Sequence, residues 1–456
     1  KTGQGGIELG EHAGLGIPDP EGENPHLQHR IMAVFSDFQD KGQRRLLVDP
    51  VLALVADAAA ELDAHRESLL VQGIEDLVGG GDDLHGGVAA DAFGNVHVVG
   101  RTKGSLDGNS NLGGFDLFVM KFGATGNWLW TRQDGTGNND TARAVATDAS
   151  GNVYVAGYVE AGNFHGLTRF GAADVFISKY SSAGARLWSA VFGSARPDEA
   201  FGLTCDPSGN VIVTGWCDDS IEGIPHFGNG DNFLAKYDSN GNRLWLKQWG
   251  TVNKDTGYSV ATDAVGNIYL SGYSTGPLYG SQQGNRDVFL AKFSAAGTNL
   301  WGTQIGTSER DEGWGVTVDA AGNTYVAGEA SGMLGSDPWS GDFDLFVAKY
   351  NSAGNQLWLR QLGTTNVDYG RAIALDTSGA VFVTGWSDGA FDGNTNQGAV
   401  DVVLMKYAPS NSIPPVPTAR PATDLSTSGF AANWFNASLA AGYRLDVSTK
   451  STFINY

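Results

Sequence analysis

A chain of 456 residues with 65 Gly, 12 Trp, 14 Tyr and only 17% charged residues can bury a large core, and this mix suits an all-β protein rich in tight turns. Fifty acidic against 29 basic residues leave a formal charge of −21, which repels phosphate backbones and argues against nucleic acid; divalent cations are better-suited partners. No run of 18 apolar residues occurs, so no membrane insertion is expected, and residues 1–30 show no basic flank followed by an apolar run that would mark a secretion signal.

In chain order, residues 1–66 contain neither a Leu-Trp pair nor a D-x-x-G-N turn. Residues 49–70 read as a helix with Asp49 as N-cap and Pro50 at its first position. From Asp83 onward a repeat takes over. D-x-x-G begins at Asp91, Asp148, Asp206, Asp263, Asp319 and Asp376, at intervals of 57, 58, 57, 56 and 57 residues. A second Asp stands eight residues upstream of each, at Asp83, Asp140, Asp198, Asp255, Asp311 and Asp368. A third opens D-x-F or D-x-V at Asp116, Asp174, Asp231, Asp287, Asp344 and Asp401. Leu-Trp closes five units at Trp130, Trp188, Trp245, Trp301 and Trp358.

Each unit predicts four strands; in the second they are 142–148, 152–158, 174–180 and 186–193. Along the first strand, small residues (Ala89, Ala146, Thr204, Ala261, Thr317, Ala374) alternate with larger ones (Val88, Val145, Leu203, Val260, Val316, Ile373). Both faces being apolar requires burial on both sides, which stacked, radially arranged sheets provide. The fold class is therefore all-β, a β-propeller of four-stranded blades spanning 67–408. The sixth unit lacks its Leu-Trp strand, and 67–79 is the segment expected to replace it. Cys205 and Cys217 sit on a hairpin whose register holds them too far apart for a disulfide.

The wording of 87–130, "GVAADAFGNVHVVG" through "DLFVMKFGATGNWLW", resembles SBBP β-propeller repeats. The repeats number six, whereas the resemblance implies seven blades; it implies an architecture and no particular activity. Residues 409–420 read as a Pro-rich linker. Residues 421–456 resemble the first half of a fibronectin type III domain, with Trp434 as its core Trp and Tyr443–Val447 as the next strand.

Residues common to all units most simply hold blades together, so those that vary are the functional candidates. The Asp83 series is read as accepting backbone N–H bonds from the preceding turn, with a ring of bound cations as the alternative. Two loops, 107–116 and 392–401, place acceptors at alternate positions: Asp107, Asn109, Asn111 and Asp116, then Asp392, Asn394, Asn396 and Asp401. That spacing suits calcium, and ordinary Asx turns are the alternative.

One loop face forms a mouth. There the residue after each second-strand Gly is Arg101, Tyr158, Trp216, Tyr273, Glu329 or Trp386, and the start of each first strand carries Gly86, Arg143, Phe201, Tyr258, Trp314 or Arg371. Tyr158, Trp216, Tyr273, Trp386, Arg143, Trp314 and Arg371 are the candidate ligand-binding set, suited to sugar rings and acidic groups. Their mixture of aromatics and opposite charges predicts a solvent-facing slot; packing between blades is the alternative. His165, His226, Tyr258 and Arg143 are the set a polysaccharide lyase would use. The expected protein is thus a secreted or cell-surface monomer that binds a glycan or protein partner, with an enzyme acting on anionic polysaccharide as the competing reading.

Overall fold

The computed structural model describes residues 83–407, apart from 161, 163, 377, 392–395 and 397–399, together with the backbone of three short strands beyond them. The expected helix at 49–70, the segment 67–79 and the linker 409–420 lie outside the described residues.

Six antiparallel four-stranded sheets follow one another in sequence. They are β1 (Asp83–Ala90), β2 (Val96–Thr102), β3 (Asp116–Phe122) and β4 (Trp128–Asp134); then β5 (Asp140–Thr147), β6 (Val153–Glu160), β7 (Ala173–Tyr180) and β8 (Arg186–Phe192). Blade 3 holds β9 (Asp198–Cys205), β10 (Val211–Cys217), β11 (Asp231–Tyr237) and β12 (Arg243–Trp249), and blade 4 holds β13 (Asp255–Thr262), β14 (Ile268–Ser274), β15 (Asp287–Phe293) and β16 (Asn299–Ile305). Blade 5 comprises β17 (Asp311–Val318), β18 (Thr324–Ala330), β19 (Asp344–Tyr350) and β20 (Gln356–Leu362), and blade 6 opens with β21 (Asp368–Leu375), β22 (Val381–Ser387) and β23 (Asp401–Tyr407). A two-stranded pair, β24 (Thr423–Ser426) and β25 (Gly429–Ala431), precedes β26 (Gly442–Val447).

The protein is a six-bladed propeller. Its first strands pack in succession, β1 on β5, then β9, β13, β17 and β21, and so form the inner wall. No comparable packing joins β21 to β1 among the described residues. Strand β26, read above as part of the fibronectin-like segment, pairs along the outer edge of β23 and completes the sixth sheet.

Local chemistry explains why each repeated residue is needed. In the D-x-x-G turn, Asp91 accepts N–H bonds from Phe93 and Asn95, both at 2.9 Å, while Gly94 takes φ +77°. The Asn side chain returns a bond to the same carboxylate at 2.8 Å, and this Asx arrangement repeats at Asp148, Asp206, Asp263 and Asp319. A third-strand lysine reaches the turn carboxylate as well, 2.7 Å for Lys236 on Asp206.

Between blades, that lysine and the Leu-Trp tryptophan act as a staple. Lys121 Nζ and Trp130 Nε1 both donate to the Ser182 carbonyl of the next blade, each at 3.2 Å. Lys179 and Trp188 do the same to Ser239, each at 3.1 Å. The indole lies against the turn glycine: a Cβ on Gly241 would sit 2.8 Å from the Trp188 ring. The cores between blades follow the sequence alternation, Val145 packing toward blade 1 and Ala146 toward Leu203 of blade 3. Lys406 stays on Asp376 of its own blade, at 3.6 Å.

Two further carboxylates meet at each junction, at the opposite end of the strands from the D-x-x-G turns. Asp140 accepts the N–H and hydroxyl of Thr136, and Asp198, Asp255, Asp311 and Asp368 repeat this with Ser194, Thr251, Thr307 and Thr364. The expectation for the Asp83 series therefore holds in five blades. Asp116 accepts Leu112 N–H at 2.7 Å and Gln133 Nε2 at 2.8 Å, with equivalents at Asp231 and Asp344. The two series face each other across a glycine: a Cβ on Gly250 would lie 2.4 Å from Asp231 Oδ1 and 2.9 Å from Asp255 Oδ2. Burial, helped by the facing carboxylate, raises Asp140 and Asp198 to about 7, and Asp311 and Asp344 to about 6.

The two cysteines are free. Cys205 pairs with Val211 and Cys217 with Asp198, at opposite ends of the hairpin.

Candidate functional site at the propeller mouth

Every inner strand carries a β-bulge at the same place. Register skips between His85 and Gly87, Ala142 and Ala144, Ala200 and Gly202, Gly257 and Ser259, Gly313 and Gly315, and Gly370 and Ala372. The residues skipped are Gly86, Arg143, Phe201, Tyr258, Trp314 and Arg371, which are the variable residues singled out at the start of the first strand. A bulge leaves its extra residue out of the ladder and re-aims its side chain. The partner strand must yield room. A Cβ on Gly157, Gly215, Gly272 or Gly328 would lie 1.9 Å from the carbonyl oxygen of Thr141, Glu199, Thr256 or Glu312, so each Gly-aromatic or Gly-Glu pair in the second strand accommodates the bulge opposite.

The re-aimed side chains touch one another from blade to blade. The Arg143 guanidinium lies 4.8 Å from the Phe201 ring, and Phe201 meets Tyr258 edge-on at 5.4 Å. Tyr258 stacks on Trp314 at 4.0 Å and 5°, and Arg371 covers Trp314 at 3.9 Å. Arg371 also lies 4.6 Å from the Tyr369 ring, which meets Trp386 at 4.3 Å. A continuous belt of rings and guanidiniums thus runs across blades 2 to 6. Its five bulged members, Arg143 to Arg371, are all half-buried.

The second-strand slot behaves differently from the solvent-facing one expected. Tyr158 and Tyr273 are buried, and Glu329 is fully so; only Arg101, Trp216 and Trp386 keep partial exposure. The bulge explains the difference: it pushes the first-strand residue over its second-strand neighbour. Tyr158 accordingly lies under Arg143 at 5.3 Å, and Tyr273 touches Tyr258 at 5.5 Å.

Charge concentrates across blades 4 to 6. Glu312 and Glu329 are both fully buried. Arg286 and Arg310 bond Glu312, the latter at 2.9 Å. Arg310 also reaches Glu329 at 3.3 Å, and Trp314 Nε1 donates to Glu329 at 2.8 Å. Burial lifts Glu329 to about 8, with Glu312 adding to the rise against the pull of Arg371 and Arg310. On the other side of the mouth, Arg143 bonds Glu199 at 2.9 Å.

The proposed lyase set does not assemble. His165 bonds Asp134 at 2.7 Å and packs on Phe164, while Tyr258 points its hydroxyl at Glu312, 3.4 Å away. No contact joins either His165 or His226 to Tyr258 or Arg143 among the described residues. Burial also raises Tyr258 far above the range of a useful base.

Of the two loops expected to suit calcium, 107–116 is described in full. Asn109 Nδ2 and N–H both turn to the Leu106 carbonyl, Asn111 Oδ1 accepts Gly113 N–H, and Asp116 is engaged by Leu112 and Gln133. Asp107 takes φ +49°. Asp392 and Asn394 lie outside the described residues, where Asn396 and Asp401 are included. No cluster of three or more His, Cys, Asp or Glu suited to a metal occurs among the described residues.

Sequence reasoning missed Glu312, Arg286, Arg310 and Tyr369. Glu312 and Tyr369 share a column, the residue after each junction Asp, whose other members are Leu84, Thr141, Glu199 and Thr256; its variability was the available signal. It also missed exposed apolar residues in the second-to-third-strand loops, Leu112, Phe170, Phe227 and Trp339, because those loops differ in length and hide their common phase.

These features define a β-propeller whose blades are fixed by repeated residues and whose mouth carries the variable ones. The SBBP β-propeller repeat matches residues 129–164, 244–279, 300–334 and 357–392. The chain is 24% identical over 354 residues to an uncharacterized WD repeat-containing protein of Acanthamoeba polyphaga mimivirus, covering 59% of this chain and 26% of that protein. It is 28% identical over 165 residues to the regulatory protein FlaEY of Caulobacter vibrioides, covering 32% of this chain and 17% of that one. The chain therefore spans about a quarter or less of these relatives' length. Among solved structures, the β-propeller domain of the Trilobed protease from Pyrococcus furiosus aligns at 7% identity with a TM-score of 0.41, covering 71% of this chain and 80% of that one. An ulvan lyase bound to a glucuronate–sulfated rhamnose unit aligns at 11% identity and 0.42, covering 70% and 78%. Such distant superpositions carry no function across.

Proposed function

We propose that this propeller is a binding module that takes a glycan chain at its mouth, along the belt from Arg143 to Trp386. The observation that carries the reading is the row of bulges. The same one-residue insertion recurs in every blade, yet the residue it presents varies among Gly, Arg, Phe, Tyr and Trp, while the junction and staple residues hardly change. Bulges cluster where a side chain must be re-aimed, and half-buried aromatic faces beside guanidiniums suit sugar rings and their polar substituents. The exposed loop residues Leu112, Phe170, Phe227 and Trp339 extend the same face. A secreted or cell-surface setting is part of the proposal, in keeping with the fibronectin-like wording after residue 421. The test is a glycan-array screen of the wild type and of Trp314→Ala with Trp386→Ala. Loss of binding by roughly tenfold or more, with the melting temperature nearly kept, supports the module. Normal binding by a folded double variant refutes the belt as the site.

A further inference from the structure

Three arginines of the mouth share two buried carboxylates, and they share them unequally. Arg286 and Arg310 each hydrogen-bond Glu312. Arg371 approaches Glu329 only to 3.8 Å, beyond hydrogen-bond distance, and donates no hydrogen bond among the described residues. Its guanidinium instead lies against Trp314 and Tyr369, at 3.9 and 4.6 Å from the ring centres. It is three-quarters buried, its side chain being 24% exposed. A guanidinium carries five N–H donors in a rigid fork shaped for carboxylate or sulfate oxygens. None of its nitrogens is among the buried polar atoms left without a partner, so the fork is open to water and available to an incoming anion.

Charge and access point the same way. Glu312 and Glu329 are wholly buried, whereas Arg286 and Arg310 keep 35% and 38% of their side chains exposed. The carboxylates therefore lie beneath and orient the guanidiniums, whose free edges face the mouth. Three guanidiniums over two buried carboxyl groups leave positive charge here on a molecule whose formal charge is −21. Net negative charge disfavours anions on average, so a local excess of guanidiniums is what an anionic ligand would need.

We infer that the sector formed by Arg371, Arg286 and Arg310, walled by Trp314 and Tyr258, is a subsite for a carboxylate or sulfate group carried on a sugar ring. The inference rests on the mouth reading above and gives its ligand a charge. Tyr258 stacks on Trp314 at 4.0 Å and Arg371 covers it at 3.9 Å, so ring edges lie beside the guanidinium fork; that the anionic group is carried on a sugar follows from the glycan reading of the mouth.

The experiment compares binding of four polymers by isothermal titration: polygalacturonate against its methyl ester, and dextran sulfate against dextran. A polyglutamate arm covers the peptide source. The expected result is that a charged polymer binds at least tenfold tighter than its neutral counterpart, that added salt weakens it, and that the two charged polymers identify carboxylate or sulfate as the preferred group. Arg371→Gln should then lose roughly tenfold to a hundredfold for the charged polymer, and less than about threefold for the neutral one. Arg286→Gln serves as a second variant if Arg371→Gln melts early. If neutral and charged polymers bind alike and Arg371→Gln changes neither, the charged subsite is wrong and the mouth reading stands. If every sugar polymer fails to bind, both are wrong. Equal binding of polyglutamate, lost in Arg371→Gln, overturns the assignment to a sugar.

Discussion

Raising the pH from 5 to 8 should weaken the blade junctions, and the effect can be sized from their geometry. Asp140 and Asp198 are raised to about 7, and Asp311 and Asp344 to about 6, by burial first and by the facing carboxylate in addition. An unfolded Asp titrates near ~3.9, so in the interval between these values the folded protein holds more protons than the unfolded chain. The contribution to stability is therefore complete below about pH 4 and is lost as pH rises through 6 to 7. For Asp140 a shift of roughly three units corresponds to about 4 kcal/mol, and water penetration on partial opening argues for about half of that. The D-x-x-G carboxylates act oppositely. At Asp91, Asp148, Asp206 and Asp263 burial raises the pKa, but hydrogen bonds from the Asn side chain and turn N–H groups outweigh it and leave a net depression. Their stabilisation is lost only as pH falls below about 4, so the optimum lies near pH 4 to 5. Asp140→Asn isolates one junction: its amide can donate to Asp116 Oδ1, which has no partner. Thermal melts should show wild type falling by several degrees from pH 5 to 8. The variant should gain about 2 kcal/mol at pH 8, a few degrees in Tm, and well under half of that at pH 5. A Tm change equal at both pH values, or a wild type flat between them, refutes the paired-carboxylate reasoning.

Trp188→Ala removes an indole packed on Gly241 and a bond to Ser239; denaturant melts should show a loss of roughly 2–3 kcal/mol, below that of a fully buried ring. Gly215→Ala drives a Cβ into the Glu199 carbonyl, so circular dichroism melts should show destabilisation of about 3 kcal/mol or more, whereas Gly137→Ala, with open space around it, should change little. Millimolar calcium should raise the Tm if loops 107–116 and 392–401 bind it, and Asp107→Ala with Asp392→Ala should remove the rise; coincident melts in calcium and in chelator identify the loops as plain turns. Truncation after residue 420 should expose the outer edge of β23, now paired with Gly442–Val447, and raise hydrogen exchange at Val402–Tyr407 or cause association; unchanged exchange would argue against that pairing.

The architecture was legible in the sequence because a propeller writes its physics once per blade. The Asp of the turn, the Lys and Trp of the staple and the alternating Val and Ala recur in phase, so comparing units separated structural residues from the rest. The first-strand column was legible for the same reason: Arg143, Phe201, Tyr258, Trp314 and Arg371 break a pattern that their neighbours keep. What could not be read was the bulge, a single residue of slippage invisible to a period count. It sets Cys217 opposite Asp198, where an unbroken register from the pairing of Cys205 with Val211 would set it opposite Glu199. It also covers Tyr158 and Tyr273, which pattern alone placed at the surface. The buried carboxylates beneath the arginines escaped for a different reason. Glu312 and Glu329 lie 17 residues apart yet share Arg310, because strand pairing sets Glu312 directly opposite Glu329.

A crystal structure of the propeller with the tightest-binding glycan from the array tests the central claim most directly. The account predicts sugar rings at the mouth, one of them beside the Tyr258–Trp314 stack with an acidic substituent at Arg371. Density on the opposite face instead, in the cavity of about 340 Å³ bounded by Asp148, Cys205, Asp206 and Asp263, or along the exposed Leu129, Leu187, Leu244 and Leu300 of the outer strands, would contradict it.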